Sequence, residues 1–333
     1  MTLLDELNFG QREAATAMEG PVLILAGAGT GKTRAITYRI AHIIEQGVPG
    51  SAILAVTFTN KAAGQMKERV RDLLVRKGLA FDDPWIGTFH SFCAWLLRRE
   101  APRLGLPRDF KIYDADDQTA VVKLALEQLS IKDPGERVRG LLERISSAKN
   151  HGMTSLQLAS DAAKHNDALG ITASKVYETY EKILRKAGAL DFDDLLLRAV
   201  QVLKEFPDAR STWQNRFRYI HVDEYQDTNR VQYDLLRLLV GEARNLCVVG
   251  DEDQSIYRWR GADVGNILRF DEDYSGARVV RLEENYRSTQ RILDAAAGVV
   301  ANNKRRLGKS LKSTRSAGNN LMATVRSSTS CTA

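Results

Sequence analysis

The sequence AGAGTGKT at residues 26–33 limits the fold more than any other segment of this chain. It follows a short apolar run, Val22 to Leu25, and precedes a helical pattern from Arg34 to Ile44. Glycines at a strand-to-helix turn let backbone N–H groups wrap a phosphate, and the helix N-terminus adds partial positive charge. The pattern is a Walker A loop with Ala26 at its first position instead of the stricter glycine. It therefore predicts an α/β domain that holds the phosphates of a nucleotide.

Two side chains of this loop carry the chemistry that its pattern predicts. The Lys32 ammonium would reach the β- and γ-phosphates, and the Thr33 hydroxyl would ligate Mg²⁺. The predicted ligands are therefore a nucleoside triphosphate and Mg²⁺, and the competing interpretation is a glycine-rich loop without function. The predicted nucleotide-binding residues of this segment are Ala26, Gly27, Ala28, Gly29, Thr30, Gly31, Lys32 and Thr33.

Short apolar runs bounded by turn residues recur along the chain and indicate buried strands. They lie at residues 22–25, 53–56, 219–222, 246–249 and 279–282. Their apolarity is continuous instead of alternating, as in strands that are covered on both faces. Helical patterns lie between them, such as Lys61 to Lys77 and Val231 to Val240. Strands that alternate with helices predict a parallel, doubly wound sheet.

A long interval from Tyr113 to Leu190 interrupts this alternation. It shows helical periodicity and almost no strand candidates, so we interpret it as a helical insertion in the α/β domain. After Lys312 the chain is rich in Ser, Thr, Asn and Arg without periodicity, and such a composition is typical of disorder. We therefore predict an insertion over residues 113–190 and a disordered tail over residues 313–333.

Composition places the chain among ordinary globular proteins. Of its 333 residues, 44% are hydrophobic and 27% are charged, which excludes a wholly disordered or collagen-like chain. No apolar run approaches the roughly 20 residues of a membrane helix, and no secretory signal is visible. The cysteines Cys93, Cys247 and Cys331 are scattered, so neither a disulfide framework nor a zinc site is expected. These features predict a cytoplasmic protein without a membrane partner.

The net charge of +6 would usually suggest a nucleic-acid partner, but its distribution weakens that inference. From Arg281 to the end there are 10 Lys+Arg against 3 Asp+Glu, whereas the preceding 280 residues hold 38 against 39. The basic excess belongs to the last sixth of the chain. Charge alone therefore says little about the folded body.

Two carboxylates, Asp223 and Glu224, follow the apolar run at residues 219–222. Near a phosphate loop, Asp223 suits Mg²⁺ coordination, and Glu224 suits polarising the attacking water as a general base. The competing interpretation is a strand that ends in solvated acids. An Asp-Glu pair favours hydrolysis over phosphoryl transfer to another acceptor, and a P-loop kinase or unrelated nucleotide hydrolase is the less favoured alternative.

With these residues in place, the chain resembles the N-terminal half of superfamily 1 DNA helicases of the UvrD/Rep/PcrA type over about residues 3–312. The similarity rests on sequence motifs that occur in the family's order. They are Leu7-Asn8 with Gln11 (the Q motif), residues 26–33 (motif I), 57–63 (Ia), 87–92 (Ib), 191–195, 222–227 (II), 249–261 (III) and 282–288 (IV). Motif II, VDEYQD, and motif III, GDEDQSIYRWRG, are long and unusual, so chance agreement is negligible.

The resemblance implies roles that spacing alone does not give. In such helicases Gln254 would contact the γ-phosphate, and Arg287 would stabilise transition-state charge as an arginine finger. Tyr286 would stack on the adenine, Gln11 would read its polar edge, and Arg34 would flank the same base. The competing interpretations are a surface ion-pair arginine at position 287 and a helix-start residue at position 11. With ATP as the nucleotide, the implied catalytic residues are Lys32, Glu224, Gln254 and Arg287.

Aromatic side chains in motifs Ia, Ib and III predict a track for single-stranded DNA, because an aromatic face stacks on any base. Tyr257 and Trp259 alternate with arginines after a polar turn, which is a poor pattern for a core strand. Taken singly, Phe58 and Phe89 fit a buried core better than a ligand contact. Hydroxyl and amide groups beside them would hydrogen-bond phosphates. The predicted DNA-binding residues are Thr57, Phe58, Asn60, Thr88, Phe89, His90, Tyr257, Trp259 and Arg260.

The resemblance also gives a predicted domain organisation. Residues 1–112 and 191–276 would form a RecA-like ATP-binding core domain, residues 113–190 its helical insertion, and residues 277–312 the truncated start of a second RecA-like domain. Complete family members continue into motifs V and VI, and nothing after Arg291 resembles them. A gene fragment, a frameshifted product and a short protein that needs a partner all fit this pattern. An isolated strand and helix would leave apolar surface uncovered, so we expect this piece to pack poorly.

Together these inferences predict an ATP-dependent DNA helicase or translocase that moves 3′ to 5′ on single-stranded DNA in repair or replication. The implied partners are single-stranded DNA, single-strand/duplex junctions, and repair or replication proteins. The alternative is a fragment that binds ATP and single-stranded DNA without unwinding, because motifs V and VI are missing. By resemblance the insertion would touch duplex DNA, and Lys149, Asn150 and His151 fit solvated residues better than DNA contacts.

Overall fold

The computed structural model describes residues 3–132 and 137–315, without the side chain of Arg260. The strands of this part are β1 (Val22–Ala26), β2 (Ile53–Thr57), β3 (Trp85–Thr88), β4 (Lys111–Tyr113), β5 (Ala189–Asp191), β6 (Tyr219–Val222), β7 (Leu246–Gly250), β8 (Arg278–Leu282), β9 (Glu284–Asn285) and β10 (Lys312–Ser313). Its α-helices are α1 (Phe9–Thr16), α2 (Lys32–Glu45), α3 (Asn60–Arg76), α4 (Phe89–Glu100), α5 (Ala115–Gln128), α6 (Arg137–Asn150), α7 (Ser155–Lys164), α8 (Ala168–Ala187), α9 (Phe192–Glu205), α10 (Pro207–Arg216), α11 (Arg230–Leu239), α12 (Gly265–Leu268), α13 (Phe270–Asp273) and α14 (Gln290–Val300). Among these described helices, none has the length and apolarity to cross a membrane.

Six strands form one parallel sheet in the order β3-β2-β6-β7-β1-β8. Every residue of β1, β2, β6 and β7 is buried, which explains why their sequences are continuously apolar. β1 pairs with β7 on one side and with β8 on the other, so that Val22 lies between Cys247 and Arg278. The predicted parallel α/β fold is confirmed.

Helices cover both faces of this sheet. On one face α1, α2 and α3 pack through a cluster that includes Ile40 and Met66. On the other face α4, α9 and α11 pack through a larger cluster that includes Phe92 and Leu196. Because both faces are covered, the open edge at the carboxyl ends of the strands is where a ligand can approach.

The structure corrects one predicted boundary. The sequence predicts that residues 277–312 begin a second domain, but β8 is the sixth strand of the first sheet. Val280 and Leu282 are buried in the same cluster as β1, because an apolar strand is stabilised by pairing with the free side of β1. The boundary at residue 277 is therefore wrong for this strand. The assignment of the following residues to a second domain stays a prediction.

The segment after β8 is packed unevenly. In α14 only Leu293 is buried, whereas Ile292 and Val299 expose 45% and 73% of their surface. This helix leaves the uncovered apolar surface that the sequence led us to expect. Residue 313, predicted to lie in the disordered tail, pairs in β10 with Asn285. The tail from residue 316 onward lies outside the described residues.

Helices α5, α6, α7 and α8 form the predicted insertion and share a core of their own. Its neck is the parallel pair β4–β5, in which Lys111 lies opposite Ala189 and Tyr113 opposite Asp191. These two strands and β3 were not predicted, since each has only three or four residues. Short strands lack the long apolar run that marks the central ones.

Lys149 fastens the insertion to the core domain. Its side chain is fully buried, and its ammonium lies 2.7 Å from Asp191 and 2.8 Å from Asp194, both at the start of α9. The Tyr180 hydroxyl donates to Asp191 at 2.8 Å. Burial alone would lower the pKa of Lys149, but the two carboxylates raise it, so the lysine stays charged. The expectation that Lys149 is solvated is wrong.

The neighbours of Lys149 differ from it. Asn150 is half-buried and donates to Asp193 at 3.1 Å, and it accepts a hydrogen bond of 2.6 Å from Asn229. His151 is exposed, as expected. The end of α6 is therefore held against the core domain by polar contacts on both sides of Asn150.

Substitution of Lys149 should destabilise the whole chain. The variant Lys149→Met keeps the length of the side chain but leaves two buried carboxylates without a cation, which costs about 3–5 kcal/mol when a buried pair loses one partner. Urea unfolding followed by circular dichroism measures this loss. Lys182→Met is the matched control, because Lys182 makes an exposed ion pair with Glu178 within α8. If the Lys149→Met variant were as stable as the Lys182→Met variant, Lys149 would not be the buried cation that fastens the insertion to the core domain.

Candidate functional site

The loop at residues 26–33 turns sharply between β1 and α2. Gly29 and Gly31 have φ values of +80° and +88°, a region that favours glycine. A Cβ at Gly29 would lie 2.5 Å from the Arg287 Cβ, and one at Gly31 would lie 2.6 Å from the Gln11 Nε2. These two glycines are therefore required by backbone conformation and by close neighbours. Together they open the loop so that its backbone N–H groups and the N-terminus of α2 can face a phosphate.

The predicted catalytic carboxylate lies at this loop. The Lys32 ammonium is 2.8 Å from the Glu224 carboxylate. Glu224 adopts φ +51° and ψ 46°, which is uncommon for a residue other than glycine. Such conformations persist where the surroundings hold them, and they occur often at functional sites. Five strands, β2 to β6, lie between Lys32 and Glu224 in the chain, but the sheet brings both residues to one edge.

Asp223 precedes Glu224 and is buried, with 5% of its surface exposed. Burial, together with the charge of Glu224, raises the pKa of Asp223 to about 6 against the opposing effect of Lys32. Its backbone N–H donates to Val56, which fixes it at the junction of β6 and β2. A buried carboxylate with a raised pKa is stabilised by a nearby cation, so the donor chemistry at Asp223 fits a metal ion.

A cavity of about 820 Å³ opens in front of the loop. Most predicted nucleotide and catalytic residues line it. They are Gln11, Gly27, Ala28, Gly29, Gly31, Lys32, Thr33, Arg34, Glu224, Gln254, Tyr286 and Arg287. Ala26, Thr30 and Asp223 are buried behind them. Glu6 and Arg69 also line the cavity and had no sequence signal, because they come from a 3₁₀ turn and from α3.

One end of the cavity has groups that suit a nucleotide base. Gln11 is buried and its side-chain amide donates to the Thr30 carbonyl at 3.1 Å. The Tyr286 hydroxyl accepts a hydrogen bond of 2.7 Å from Asn8, and 42% of the Tyr286 surface is exposed. The Arg34 guanidinium donates to the Glu6 carbonyl at 2.8 Å. The predicted adenine residues therefore lie together, and their roles stay predictions.

The segment that carries Arg287 is attached directly to the phosphate loop. The Asn285 side chain donates to the Ala28 carbonyl at 2.6 Å, and the Tyr286 backbone N–H donates to the Gly29 carbonyl at 2.9 Å. Asn285 is buried, and its side-chain oxygen accepts the N–H group of Arg287 at 2.9 Å. Arg287 thus reaches the cavity from a fixed backbone.

Gln226 connects the two acidic motifs, a role that the sequence did not reveal. Its side-chain amide donates to Glu224 at 2.9 Å, and its side-chain oxygen accepts the backbone N–H of Asp251 at 3.0 Å. The Asp251 carboxylate in turn accepts a hydrogen bond from Gln254. A Cβ at Gly250 would lie 2.6 Å from the Gln226 oxygen, so glycine makes room for this bond. Gln254, the proposed γ-phosphate contact, is therefore linked to Glu224, the proposed general base, through Asp251 and Gln226.

A second cavity, of about 830 Å³, forms a groove between the core domain and α6 of the insertion. Tyr257 and Trp259 expose 38% and 72% of their surface, and their ring centroids are 6.4 Å apart. Such exposed rings are available for stacking. The predicted residues that line this groove are Thr57, Phe58, Phe89, His90, Tyr257 and Trp259.

Three of the predicted DNA-binding residues are largely buried, and their contact with DNA stays a prediction. Thr57, Thr88 and Phe89 expose only 2%, 9% and 2% of their surface, because strands β2 and β3 end here beneath the helices that follow. The Thr88 hydroxyl caps α4 by accepting the Ser91 N–H at 3.2 Å. Phe89 packs edge-on against Phe58, with ring centroids 5.7 Å apart. These residues shape the wall of the groove.

The other predicted groove residues are placed differently from one another. Asn60 is exposed at the start of α3, and the Arg260 side chain lies outside the description. Burial lowers the pKa of His90, so its ring is neutral at pH 7. His90 lies 6.0 Å from Phe192, centroid to centroid, and 48% of the Phe192 surface is exposed. Sequence alone did not identify Phe192 as an exposed ring beside His90, because it does not show whether an aromatic residue at a helix start is exposed or buried.

Comparison with known proteins agrees with this geometry. The family model described as the UvrD/REP helicase N-terminal domain matches residues 7–275. The protein named ATP-dependent DNA helicase PcrA from Bacillus subtilis (strain 168) is 48% identical over 310 residues, or 93% of this chain and 41% of that protein. Proteins of the same name from Staphylococcus aureus (strain Mu50) and Staphylococcus epidermidis are each 46% identical, over 93% and 96% of this chain.

The chain spans less than half the length of these relatives, 41% to 43% in the three cases. The matched family model, however, covers most of the chain, including the phosphate loop, both carboxylates and Gln254. This chain therefore belongs to the UvrD/REP helicase family, through that family's N-terminal domain.

Proposed function

We propose that this chain binds ATP and hydrolyses it in response to single-stranded DNA, as the core of an ATP-dependent DNA helicase or translocase. One observation carries the proposal. The loop at residues 251–259 presents Gln254 to the nucleotide cavity and presents Tyr257 and Trp259 to the aromatic groove. Coupling between two ligands requires an element that both ligands contact. The relatives' names, ATP-dependent DNA helicase PcrA, support the same activity.

In the proposed mechanism, ATP changes the partner of Lys32. Phosphate oxygens that enter the loop would compete with Glu224 for the Lys32 ammonium, which now lies 2.8 Å from that carboxylate. Binding would thereby free Glu224 to face a water molecule. Thr33 and Asp223 would supply oxygen ligands for Mg²⁺, which prefers such donors and would neutralise charge on the β- and γ-phosphates.

The chemical step would be hydrolysis of the terminal phosphoanhydride. Glu224 would accept a proton from water as the water oxygen bonds to the γ-phosphorus and the bond to the β,γ-bridging oxygen breaks, which releases ADP and phosphate. Lys32 and Arg287 would stabilise the negative charge on the transferred group. Gln226 would hold the Glu224 carboxylate through the hydrogen bond of 2.9 Å.

The finer parts of the proposal rest on the resemblance. Movement would run 3′ to 5′ on the single strand, at single-strand/duplex junctions, in DNA repair or replication with partner proteins of those pathways. A cytoplasmic location is consistent with the two described cysteines, Cys93 and Cys247, which are free and buried. A single strand bound in the groove would lie beside α6 of the insertion, which would also meet an adjoining duplex.

A second candidate is a chain that binds ATP and single-stranded DNA without separating strands. The exposed apolar face of α14, with Ile292 and Val299, favours it, because strand separation would need that face to be covered by a further domain. An assay of strand displacement on 3′-tailed and 5′-tailed duplexes, run beside an ATPase assay, distinguishes the candidates. ATP turnover with displacement of the 3′-tailed duplex supports the helicase, and ATP turnover without displacement supports the second candidate.

Substitution of the proposed base should separate binding from hydrolysis. Glu224→Gln removes the proton acceptor and should lower DNA-stimulated ATP turnover by about 10²-fold or more, while nucleotide binding is retained. Turnover is measured by phosphate release, and binding by fluorescent-nucleotide titration. Glu127→Gln on α5 is the matched control, because Glu127 is exposed and lines neither cavity. Turnover within tenfold of the unchanged chain would exclude Glu224 as the base.

Truncation of Trp259 should weaken DNA binding without changing ATP hydrolysis in the absence of DNA. Trp259→Ala removes one stacking face, which is worth about 1–3 kcal/mol per base, so affinity for a labelled oligothymidylate should fall about 5- to 150-fold. Fluorescence anisotropy measures the affinity, and ATPase without DNA should be unchanged. Leu156→Ala, at an apolar side chain on α7 that is 79% exposed, is the control. Equal affinities for the two variants would refute the stacking role.

A further inference from the structure

Three consecutive carboxylates, Asp251, Glu252 and Asp253, follow β7 at the edge of the nucleotide cavity. Their oxygen atoms lie within 4.8 Å of one another. Asp251 and Glu252 expose only 3% and 7% of their surface. Like charges at this separation repel, and burial strengthens the repulsion. The loop that carries Gln254 therefore needs a cation to keep this conformation.

Lys309 supplies that cation. Its ammonium lies 2.6 Å from Asp251, 3.0 Å from Glu252 and 2.8 Å from Asp253, and only 3% of its side chain is exposed. An ammonium has three donors, and here one is directed to each carboxylate. Burial would lower the pKa of Lys309, but hydrogen bonds to Asp251 and Asp253 raise it, so the group stays charged. The ammonium therefore lies among the three acids and offsets part of their repulsion.

The neighbours of Lys309 add to this contact. We name residues 303–309 the basic strap. Arg306 binds Asp253 through two nitrogen atoms, at 2.7 and 2.9 Å, and Asn303 donates to the same carboxylate at 3.2 Å. Burial alone would raise the pKa of Asp253, but the hydrogen bonds from Arg306 and Lys309 hold it down at about 2. Three side chains of the basic strap therefore converge on one acidic turn.

The basic strap is itself held near the phosphate loop. Arg281 on β8 donates to the Gly308 carbonyl at 2.9 Å, and the Lys312 backbone N–H donates to the Glu283 carbonyl at 2.8 Å. Leu311 lies against the loop, since a Cβ at Gly27 would come within 2.8 Å of its side chain. Lys309 is thus fixed from two sides and can act as a rigid support.

Hydrogen bonds of Asp251 connect Lys309 to residues of the nucleotide site. The carboxylate that Lys309 binds also accepts the hydrogen bond from Gln254. The backbone N–H of Asp251 donates to Gln226, which donates to Glu224. Loss of Lys309 would release the acidic turn and with it the position of Gln254.

We propose that Lys309 is a positioning residue for ATP hydrolysis: its ammonium holds the turn at residues 251–254 so that Gln254 faces the nucleotide cavity. The inference rests on the proposed ATPase function and goes beyond it, because it assigns a catalytic support to a residue outside the motifs and after β8. Lys309 lines neither of the two cavities, so it would act through the acidic turn that it binds.

The test compares Lys309→Met with Lys312→Met in the full 333-residue chain. Both remove one ammonium, but the Lys312 side chain is exposed on β10. We expect Lys309→Met to lower kcat for ATP about tenfold or more, with KM changed less than about twofold, because Gln254 would act on the transition state. Lys309→Arg should recover part of kcat, and Lys312→Met should match the unchanged chain.

Hydrogen exchange gives a readout that does not depend on activity. In Lys309→Met the amides of Asp253 and Gln254, which bond within the acidic turn, should exchange about tenfold faster, while those of β7 should not change. If the unchanged chain hydrolyses no ATP, the proposed function fails, and exchange alone then decides whether Lys309 holds the turn. Unchanged exchange overturns the inference, and so does faster exchange with unchanged kcat. A variant that unfolds as a whole is replaced by Lys309→Gln, which also removes the charge and for which unchanged exchange and kcat would equally count against the inference.

Discussion

The parallel pairing of β1 with β7 on one side and β8 on the other determines where the functional groups meet. Each strand ends at the same edge of the sheet, so the segments that follow β1, β7 and β8 lie side by side there. These segments carry Lys32, Gln254 and Arg287. Because β8 belongs to this sheet, the Tyr286 backbone can bond directly to Gly29. If β8 stood in a separate domain, Arg287 would have no fixed position relative to the phosphate loop.

The basic excess near the end of the chain has a structural use. Arg306 and Lys309 neutralise the acidic turn at residues 251–253, so part of the charge that first suggested nucleic acid is committed to an internal contact. The groove instead offers exposed rings, Tyr257 and Trp259, and the proposed stacking of bases on them would not depend on net charge. The proposed DNA binding is therefore supported by the exposed aromatic residues and not by the net charge.

Local signals were predicted well, and long-range contacts were not. Five of the six strands of the main sheet were found because each contains a short apolar run, and the phosphate loop was found because its glycines have a fixed spacing. Phe89 and Trp259 show where sequence fails, since both are aromatics within motifs, yet one exposes 2% of its surface and the other 72%. Lys149 was expected to be solvated, and no sequence pattern marked Lys309 as a buried cation. Their partner carboxylates lie more than 40 positions away in the chain, which no local pattern can reveal.

The two sites are joined by a short loop whose geometry limits how they can influence each other. Gln254 ends one 3₁₀ turn, and Trp259 lies in the next, five residues later. The first turn is fixed by Asp251, which is bound on one side by Lys309 and on the other by Gln226. The second turn has the exposed Trp259, the proposed stacking surface for a DNA base. Because packed turns shift as units and do not stretch, a base that moves Trp259 must either move Gln254 or be resisted by the contacts of Asp251. The contacts of Asp251 with Lys309 and Gln226 would therefore determine how far a DNA contact at Trp259 changes the position of Gln254.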